Sequence, residues 1–496
     1  MVLLRSVRFR RTVESNAMRV WITGLLLLSA GLAFAGDEEA RTFDWGFIAS
    51  RQPDVHGDMR TKFLGPFFEF ASSTNGMEFR AFRPLHSKVY DPVARRETHD
   101  ILWPIAMAKR HDTEFRWRFL LTYYHDFDVN DPVSRYRFMS LPIYFQGRDK
   151  DKRRYAAIFP LGGRIHEFLT RDEIEFLLFP LLARSSINEV ETKDVLWPIY
   201  SRTEGKGIYR FRIFPFYARS HHRDKFEKRF ILWPFWTWAR YKEPGHSGTG
   251  YILWPLWGHV ELEDQETWMF VPPLFRFSKG QRLDYSHYPW PFIQHSRGLV
   301  EKLYIWPLWG EKHMHGYYRS FALWPIVHNM RVDRGKTMAR TFLVVPFYLS
   351  SSSVEKEKDE AGDREVLGKY RKVWPLFSYR REGSESCFRT LELWPLRTPA
   401  PMERLYAPLW TLYSRTGIGE NMDHELLWGL YRQRRRGGDV FSSALFPLWE
   451  WRRDDREKET REWNLLKGLV GYSRKGTQKQ VRVLYFLRFG RKEKSP

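Results

Sequence analysis

The chain has 496 residues, with 81 Lys and Arg against 59 Asp and Glu, which gives a formal net charge of +22 at pH 7. Hydrophobic residues make up 43% and aromatic residues 17% of it, and this composition excludes intrinsic disorder, collagen and a coiled coil. The single cysteine, Cys387, excludes an intrachain disulfide scaffold and a multi-cysteine zinc site.

Residues 1–35 are predicted to be an export signal peptide. A basic start precedes an apolar run from Val20 to Ala35, which ends in the small-x-small pattern Ala33-Phe34-Ala35 that suits a signal peptidase. The alternative is a retained membrane anchor, although this run is short for a span of about 20 residues. No later stretch is apolar for long enough to form a membrane helix. We therefore expect an exported chain that is either soluble outside the cytoplasm or a barrel in an outer membrane.

An N-terminal segment, residues 36–60, precedes a short motif that recurs to the end of the chain. The motif has two or three apolar residues, then Trp or Phe, then Pro, then more apolar residues, and most intervals are about 16 to 21 residues, the spacing of a tandem repeat. Nine Trp-Pro pairs are present, where random mixing predicts about one. The residues that define the repeat include Trp103, Pro104, Trp197, Pro198, Trp233, Pro234, Trp254, Pro255, Trp306, Pro307, Trp324, Pro325, Trp374, Pro375, Trp394 and Pro395.

Each repeat is predicted to be one β-strand of about 10–13 residues plus a turn. The shoulders of the motif alternate between polar and apolar residues, as from Tyr209 to Ile213, and this period of two indicates extended chain. Short polar segments between the centres favour tight turns, so consecutive strands are expected to be antiparallel. The central Pro predicts a kink shared by all strands; the alternative makes Trp-Pro a corner of a β-solenoid. The charged stretch from Glu355 to Glu365, with the preceding serines, predicts a surface loop.

These strands predict an all-β fold, a large antiparallel up-and-down β-barrel of about 22 kinked strands over residues 61–489, followed by a basic tail, residues 490–496. The strand length and number suit outer-membrane barrels, and Trp and Tyr suit membrane interfaces. The run from Val481 to Phe489 alternates and ends in an aromatic residue, like the C-terminal insertion signal of such barrels. Against this, the strand centres are apolar on both faces, so a soluble two-layer β-repeat remains an alternative.

Basic residues recur four to seven positions after the repeated Pro. A guanidinium binds two phosphate oxygens at once, so these residues predict a collar that contacts anionic lipid headgroups, although a solvated shoulder beside Trp and Tyr is an alternative. Membrane lipids or lipopolysaccharide are the expected partners, together with the barrel-assembly machinery; nucleic acid is not expected, because the basic residues are spread over all repeats. The residues of this predicted collar are Arg164, Arg184, Arg202, Arg219, Arg380, Arg415 and Arg452.

No catalytic or metal-binding motif is evident in the sequence. The chain lacks a nucleophile elbow, a phosphate-binding loop, a dinucleotide fingerprint and a zinc-protease motif. His221-His222, His313 with His315, and His125 near Asp126 are interpreted as turn residues in water. We therefore expect neither an enzyme nor a cofactor.

The tandem Trp/Phe-Pro-Leu-aromatic units resemble those of uncharacterised secreted or outer-membrane proteins of Gram-negative bacteria. This resemblance covers about residues 60–489 and implies a location in the cell envelope, with no activity to carry over. The sequence thus predicts an outer-membrane protein that acts as a channel or interacts with lipids or other hydrophobic molecules. The alternative is a soluble periplasmic or surface scaffold with a structural or adhesive role.

Overall fold

The computed structural model describes residues 42–358, 364–456 and 459–490, nearly all of which belong to the second of two compact units, Asp44–Pro496. These residues form one antiparallel sheet of 46 strands. Each strand pairs with the next one along the chain, so the sheet is a continuous meander. The predicted all-β, antiparallel class is therefore confirmed. The predicted signal peptide, residues 1–35, and nearly all of the basic tail lie outside the described residues.

The strands are numbered here in chain order. The first part of the sheet contains β1 (Phe43–Trp45), β2 (Ala49–Pro53), β3 (Met59–Phe63), β4 (Phe68–Ser72), β5 (Glu78–Phe82), β6 (His86–Asp91), β7 (Arg96–Ile101), β8 (Ala106–His111), β9 (Glu114–Phe119), β10 (Thr122–Asp126), β11 (Tyr136–Ser140), β12 (Tyr144–Arg148), β13 (Arg154–Ile158), β14 (Gly162–Phe168), β15 (Arg171–Leu177) and β16 (Leu182–Ile187). The middle part contains β17 (Val190–Val195), β18 (Tyr200–Gly205), β19 (Ile208–Ile213), β20 (Tyr217–His222), β21 (Phe226–Ile231), β22 (Trp236–Tyr241), β23 (Gly248–Leu253), β24 (Trp257–Leu262), β25 (Gln265–Phe270), β26 (Phe275–Gly280), β27 (Leu283–His287), β28 (Ile293–Gly298), β29 (Val300–Ile305), β30 (Trp309–Met314), β31 (Tyr317–Ala322), β32 (Val327–Arg334) and β33 (Thr337–Val344).

The last part contains β34 (Tyr348–Lys358), β35 (Arg364–Val373), β36 (Phe377–Glu382), β37 (Glu385–Thr390), β38 (Tyr413–Ile418), β39 (Asn421–Leu426), β40 (Tyr431–Arg436), β41 (Val440–Leu445), β42 (Trp449–Asp454), β43 (Thr460–Leu465), β44 (Val470–Lys475), β45 (Gln478–Val483) and β46 (Leu487–Gly490). Two short helices, α1 (Ala400–Leu405) and α2 (Ala407–Trp410), interrupt the meander between β37 and β38, and 3₁₀ turns cover Leu427–Gly429 and Leu466–Gly468. Of the predicted surface loop, the serines and residues 355–358 belong to β34 and residues 364–365 belong to β35, so that prediction is wrong for them; residues 359–363 lie outside the described residues.

The repeated Pro lies in turns, and the prediction of a kinked strand with Pro at its centre is wrong. Pro234 lies between β21 and β22, and Pro255 lies between β23 and β24. What the sequence presents as one strand is two strands of mostly five or six residues joined by an apolar turn, which is why the strand number is about twice the expected 22. Pro has no N–H to give to a ladder, and a turn requires none from it. The described chain has 16 cis X-Pro bonds, each in such a turn.

The meander has two chemically different edges. Turns that follow odd-numbered strands are apolar, such as Leu232-Trp233-Pro234-Phe235, and we call the row that they form the apolar edge. Turns that follow even-numbered strands are mostly polar, such as Arg223-Asp224-Lys225, and they form the polar edge. This separation follows directly from the antiparallel pairing, because every second turn of a meander lies on the same edge.

The sheet is open, so the predicted barrel is wrong. Among the described strands, β1 and β46 do not pair with each other. A strand of six residues extends about 20 Å. A strand that spans a membrane needs about 9–11 residues, so these strands are too short. The expected C-terminal insertion strand is two strands, β45 and β46, separated by a turn at Leu484–Phe486. The solenoid alternative is also wrong, because neighbouring strands are antiparallel. Without a barrel, the reason for expecting barrel-assembly machinery disappears.

The two end segments of the meander contact each other through side chains. We define them as β1–β8 and residues 391–469. Lys62 on β3 pairs with Glu425 on β39 at 2.6 Å, and Asp100 on β7 pairs with Arg404 on α1 at 2.6 Å. Later residues of the first segment thus contact earlier residues of the second, so the sheet folds back and its end segments lie face to face. Leu405 and Ala407 of the two helices are fully buried.

Candidate functional site

The apolar edge exposes a long row of large hydrophobic side chains. Trp233 and Phe235 are 51% and 53% exposed, and Trp197 is 49% exposed. Of the Trp residues that define the repeat, Trp254 and Trp324 are also exposed, while Trp103, Trp306, Trp374 and Trp394 are half-buried. A row of this length far exceeds the scattered hydrophobic residues that are normal on a protein surface, and it indicates an interaction site.

Aromatic rings of successive apolar turns contact one another across the edge. The Phe214 and Trp233 ring centroids are 5.5 Å apart, and those of Phe235 and Trp254 are 6.0 Å apart. Trp306 and Trp324 are 5.7 Å apart. Ring pairs at such distances stabilise their arrangement beyond the area that they bury. The apolar edge is therefore a nearly continuous aromatic surface with fixed side chains.

In the turn between β21 and β22, each backbone N–H has a partner within the protein. The N–H of Leu232 donates to the Phe216 carbonyl and that of Trp233 donates to the Pro215 carbonyl, both at 2.7 Å. The N–H of Phe235 donates to the Leu232 carbonyl at 2.8 Å, and Pro234 has no N–H. Unpaired backbone donors are costly outside water. Because its donors are paired, a turn of this kind can enter an apolar environment at little cost.

Four of the predicted collar arginines form a row on one face of the sheet, and their charges are paired. Arg164 contacts Glu175 at 3.1 Å, Arg184 contacts Glu191 at 2.8 Å, and Arg202 contacts Glu204 at 2.6 Å. Arg219 contacts Glu227 at 3.1 Å. A carboxylate on the same or the next strand thus pairs with each of the four arginines, which reduces the charge that they offer to an external phosphate.

The other three predicted collar arginines lie far from this row. Arg380 on β36 is 3.8 Å from Glu385, and Arg452 on β42 is 3.0 Å from Asp454. Arg415 on β38 lies on the opposite face from Arg380, because Arg380 is in register with Cys387, and Cys387 with Thr416. The seven arginines therefore do not form one collar, and the contact with lipid headgroups stays a prediction for each of them.

A buried cluster of charges lies where the end segments meet. Arg83, which is 3% exposed, donates to Glu69 at 2.6 Å, to the Pro66 carbonyl and to the Arg404 carbonyl. Burial alone would raise the pKa of Glu69, but the charges of Arg83, Lys62 and Arg60 lower this pKa to about 2.

A second carboxylate extends this cluster. Burial opposes the ionised form of Glu425, yet the charges of Lys62 and Arg432 hold its pKa well below the ordinary value. Arg432 also contacts Asp44 at 2.7 Å. These charges are paired inside the protein, and the pair of Lys62 with Glu425 joins the two end segments.

Sequence reasoning missed this cluster, although a signal was present. Arg83 precedes Pro84 at a position that Trp, Phe, Leu or Val occupies in most repeats, and Lys467 takes the equivalent place before Gly468. Arg83 is buried, and Lys467 pairs with Glu450. A charged residue at an apolar motif position was the indication of a buried ion pair.

The described part of the chain contains no group of three or more His, Cys, Asp and Glu residues that could hold a metal ion. None of its helices is long and apolar enough to cross a membrane. Comparison with known protein families finds no match, and comparison with curated proteins finds no relative. The resemblance to uncharacterised envelope proteins therefore stays a prediction.

Proposed function

We propose that the protein is a non-enzymatic, lipid-interacting protein of the cell envelope, which lies on a membrane surface with its apolar edge in the lipid. The observation that carries this proposal is the long row of exposed hydrophobic and aromatic side chains on the apolar edge, with turns such as that between β21 and β22 whose N–H groups are already paired. Trp is favoured where apolar acyl chains meet wet headgroups. The predicted signal peptide, residues 1–35, supports export, and an outer membrane or the periplasmic face of another membrane is the proposed location.

The length of the strands supports lying on a membrane over crossing it. Strands of five or six residues are too short to span the hydrocarbon core. The polar edge, with turns such as Arg223-Asp224-Lys225, would remain in water. An amphipathic ribbon of this kind binds by burying apolar area at the interface, as interfacial helices do.

The test is flotation of the purified full chain with phosphatidylcholine vesicles. The triple variant Trp233→Ser, Phe235→Ser, Leu256→Ser changes only exposed apolar-edge residues, and we expect its partition into vesicles to fall about a hundredfold, because three large side chains lose their burial in lipid. The control is Val93→Ser, Leu169→Ser, Leu299→Ser, which removes from the polar edge three apolar residues that are even more exposed.

The control is expected to partition like the unsubstituted protein. If the unsubstituted chain does not float with vesicles, or if both triple variants lose binding equally, the apolar edge is not a lipid contact. The protein would then fit the alternative of a soluble structural or adhesive scaffold. Circular dichroism of each variant shows whether the sheet is intact.

A further inference from the structure

A groove of about 450 Å³ crosses the face of the sheet formed by β15 to β20. It is open along one side, and Trp197 of the apolar edge lines one end of it. Small side chains, such as Ser201 and Ala218, leave its space unfilled. The groove therefore runs from the apolar edge onto a polar part of the sheet.

Two arginines on β19 line this groove without a carboxylate partner. Arg210 and Arg212 point to the same face, since they are two residues apart on one strand. Among the described residues, neither forms an ion pair, and the Nε of Arg212 is buried without a hydrogen-bond partner. Arg171 also lines the groove, and Asp194 is the single acidic residue there. The groove is thus electropositive.

Hydroxyl groups surround these arginines. Arg210 is in register with Thr203 on one neighbouring strand and with Ser220 on the other. Arg212 is in register with Ser201. Guanidinium and hydroxyl donors side by side are the groups that recognise phosphate oxygens.

The opposite face of the same strands provides a contrast. Arg202 is in register with Phe211, so it lies on the other face from Arg210 and Arg212, and Glu204 neutralises it. In the sequence, Arg210 and Arg212 stand out only as the polar positions of the alternating run from Tyr209 to Ile213. Among the described arginines of β18 to β20, Arg210 and Arg212 are thus the two without a carboxylate partner.

We propose that this groove binds the phosphate of an anionic lipid headgroup, with the acyl chains at the apolar edge beside Trp197. Arg212 is the last residue but one of β19, directly before the apolar turn Phe214-Pro215-Phe216, so a phosphate held there lies at the depth of a headgroup. This inference rests on the proposed function, because the apolar edge must be in the membrane for the lipid to reach the groove.

The experiment compares binding of the full chain to vesicles of pure phosphatidylcholine and to vesicles of phosphatidylcholine with phosphatidylglycerol. Arg210→Gln and Arg212→Gln are each expected to weaken binding to the phosphatidylglycerol vesicles about fivefold, and together about thirtyfold, the size expected for basic residues at an anionic surface. Binding to phosphatidylcholine should not change. Arg229→Gln is the matched control, because Arg229 is half-buried on the opposite face and is paired with Glu227.

The outcomes separate the two proposals. If unsubstituted protein does not bind phosphatidylcholine vesicles, the proposed function fails. If it does bind them, but the double variant keeps the full preference for phosphatidylglycerol or Arg229→Gln loses as much, the groove inference alone fails. Inorganic phosphate that binds the unsubstituted protein in the absence of vesicles but not the double variant, while both keep the same preference for phosphatidylglycerol vesicles, would assign the groove to free phosphate and overturn the lipid assignment. Arg210→Lys with Arg212→Lys keeps the charge and should retain part of the preference.

Discussion

The end segments of the meander and its middle are built from the same kind of hairpin, but their ion pairs differ in burial. In the end segments Arg83 and Glu69 are buried as a pair, and the fully buried Asp100 pairs with Arg404 of the other end segment at 2.6 Å. In the middle, pairs such as Arg164 with Glu175 are exposed. Buried charges must be paired, whereas exposed pairs contribute little. The ion pairs at the ends therefore stabilise the contact between distant strands, whereas those in the middle add little to the stability of the sheet.

The sharpest way to break this comparison is Arg83→Ala. It leaves Glu69 buried with weaker compensation and leaves the Pro66 and Arg404 carbonyls without their donor. We expect the free energy of unfolding to fall by about 3–5 kcal/mol, the range for a broken buried ion pair. Urea denaturation followed by Trp fluorescence measures it. A loss below about 1 kcal/mol would show that the cluster does not hold the end segments together.

Acid should weaken the end segments more than the middle. The pKa of Glu69 is lowered from 4.5 to about 2, so its contribution is fully present above about pH 4.5 and is lost as the pH falls towards 2. The loss amounts to about 3 kcal/mol, and the lowered pKa of Glu425 adds in the same direction. Unfolding of the unsubstituted chain and of Glu69→Gln between pH 6 and pH 2 checks this. The variant should show a flatter decline, and parallel curves would contradict the assignment.

Tyr406→Phe tests a neutral contact between the same segments. The Tyr406 hydroxyl donates to the Trp103 carbonyl at 2.8 Å, and the variant removes only this hydroxyl. We expect a loss of about 1 kcal/mol in the free energy of unfolding, the usual net contribution of one hydrogen bond. An unchanged free energy in urea denaturation would mean that water replaces the hydroxyl there.

The smallest effect is expected in the middle of the sheet, from Arg164→Ala. Arg164 is 60% exposed in its pair with Glu175, so solvent and salt screen the interaction. Its loss should change the free energy of unfolding by less than about 1 kcal/mol. A loss as large as that of Arg83→Ala, measured in the same urea series, would remove the distinction between ends and middle.

Sequence patterns predicted the class of the fold because a β-strand produces a local alternation of polar and apolar residues. The alternation from Tyr209 to Ile213 falls within β19, and the polar segments between centres are turns. The apolar centres led to the wrong prediction of one long strand with Pro at its centre. A run such as Ile231 to Trp236 has the composition of a buried strand, although its Pro lies in a turn. Composition alone does not reveal that such a run is an exposed edge.

The candidate sites were predicted less well than the fold. The regular spacing of Arg after Pro placed Arg164, Arg184, Arg202 and Arg219 in one row, but their Glu partners come from pairing register, which the spacing does not contain. Lys62 and Glu425 meet although 363 positions separate them, and no local pattern encodes such a contact. The end contacts depend on how the whole sheet folds back.

The two edges place a parity rule on how this protein can change in length. Each hairpin contacts mainly its neighbours, so two strands together can be gained or lost while every later Trp and Pro stays on its own side. A single extra strand would exchange the edges for every later turn. The tryptophans after it would then lie on the polar edge and the lysines on the apolar edge. Duplications and deletions in such a chain should therefore be tolerated in steps of one whole hairpin.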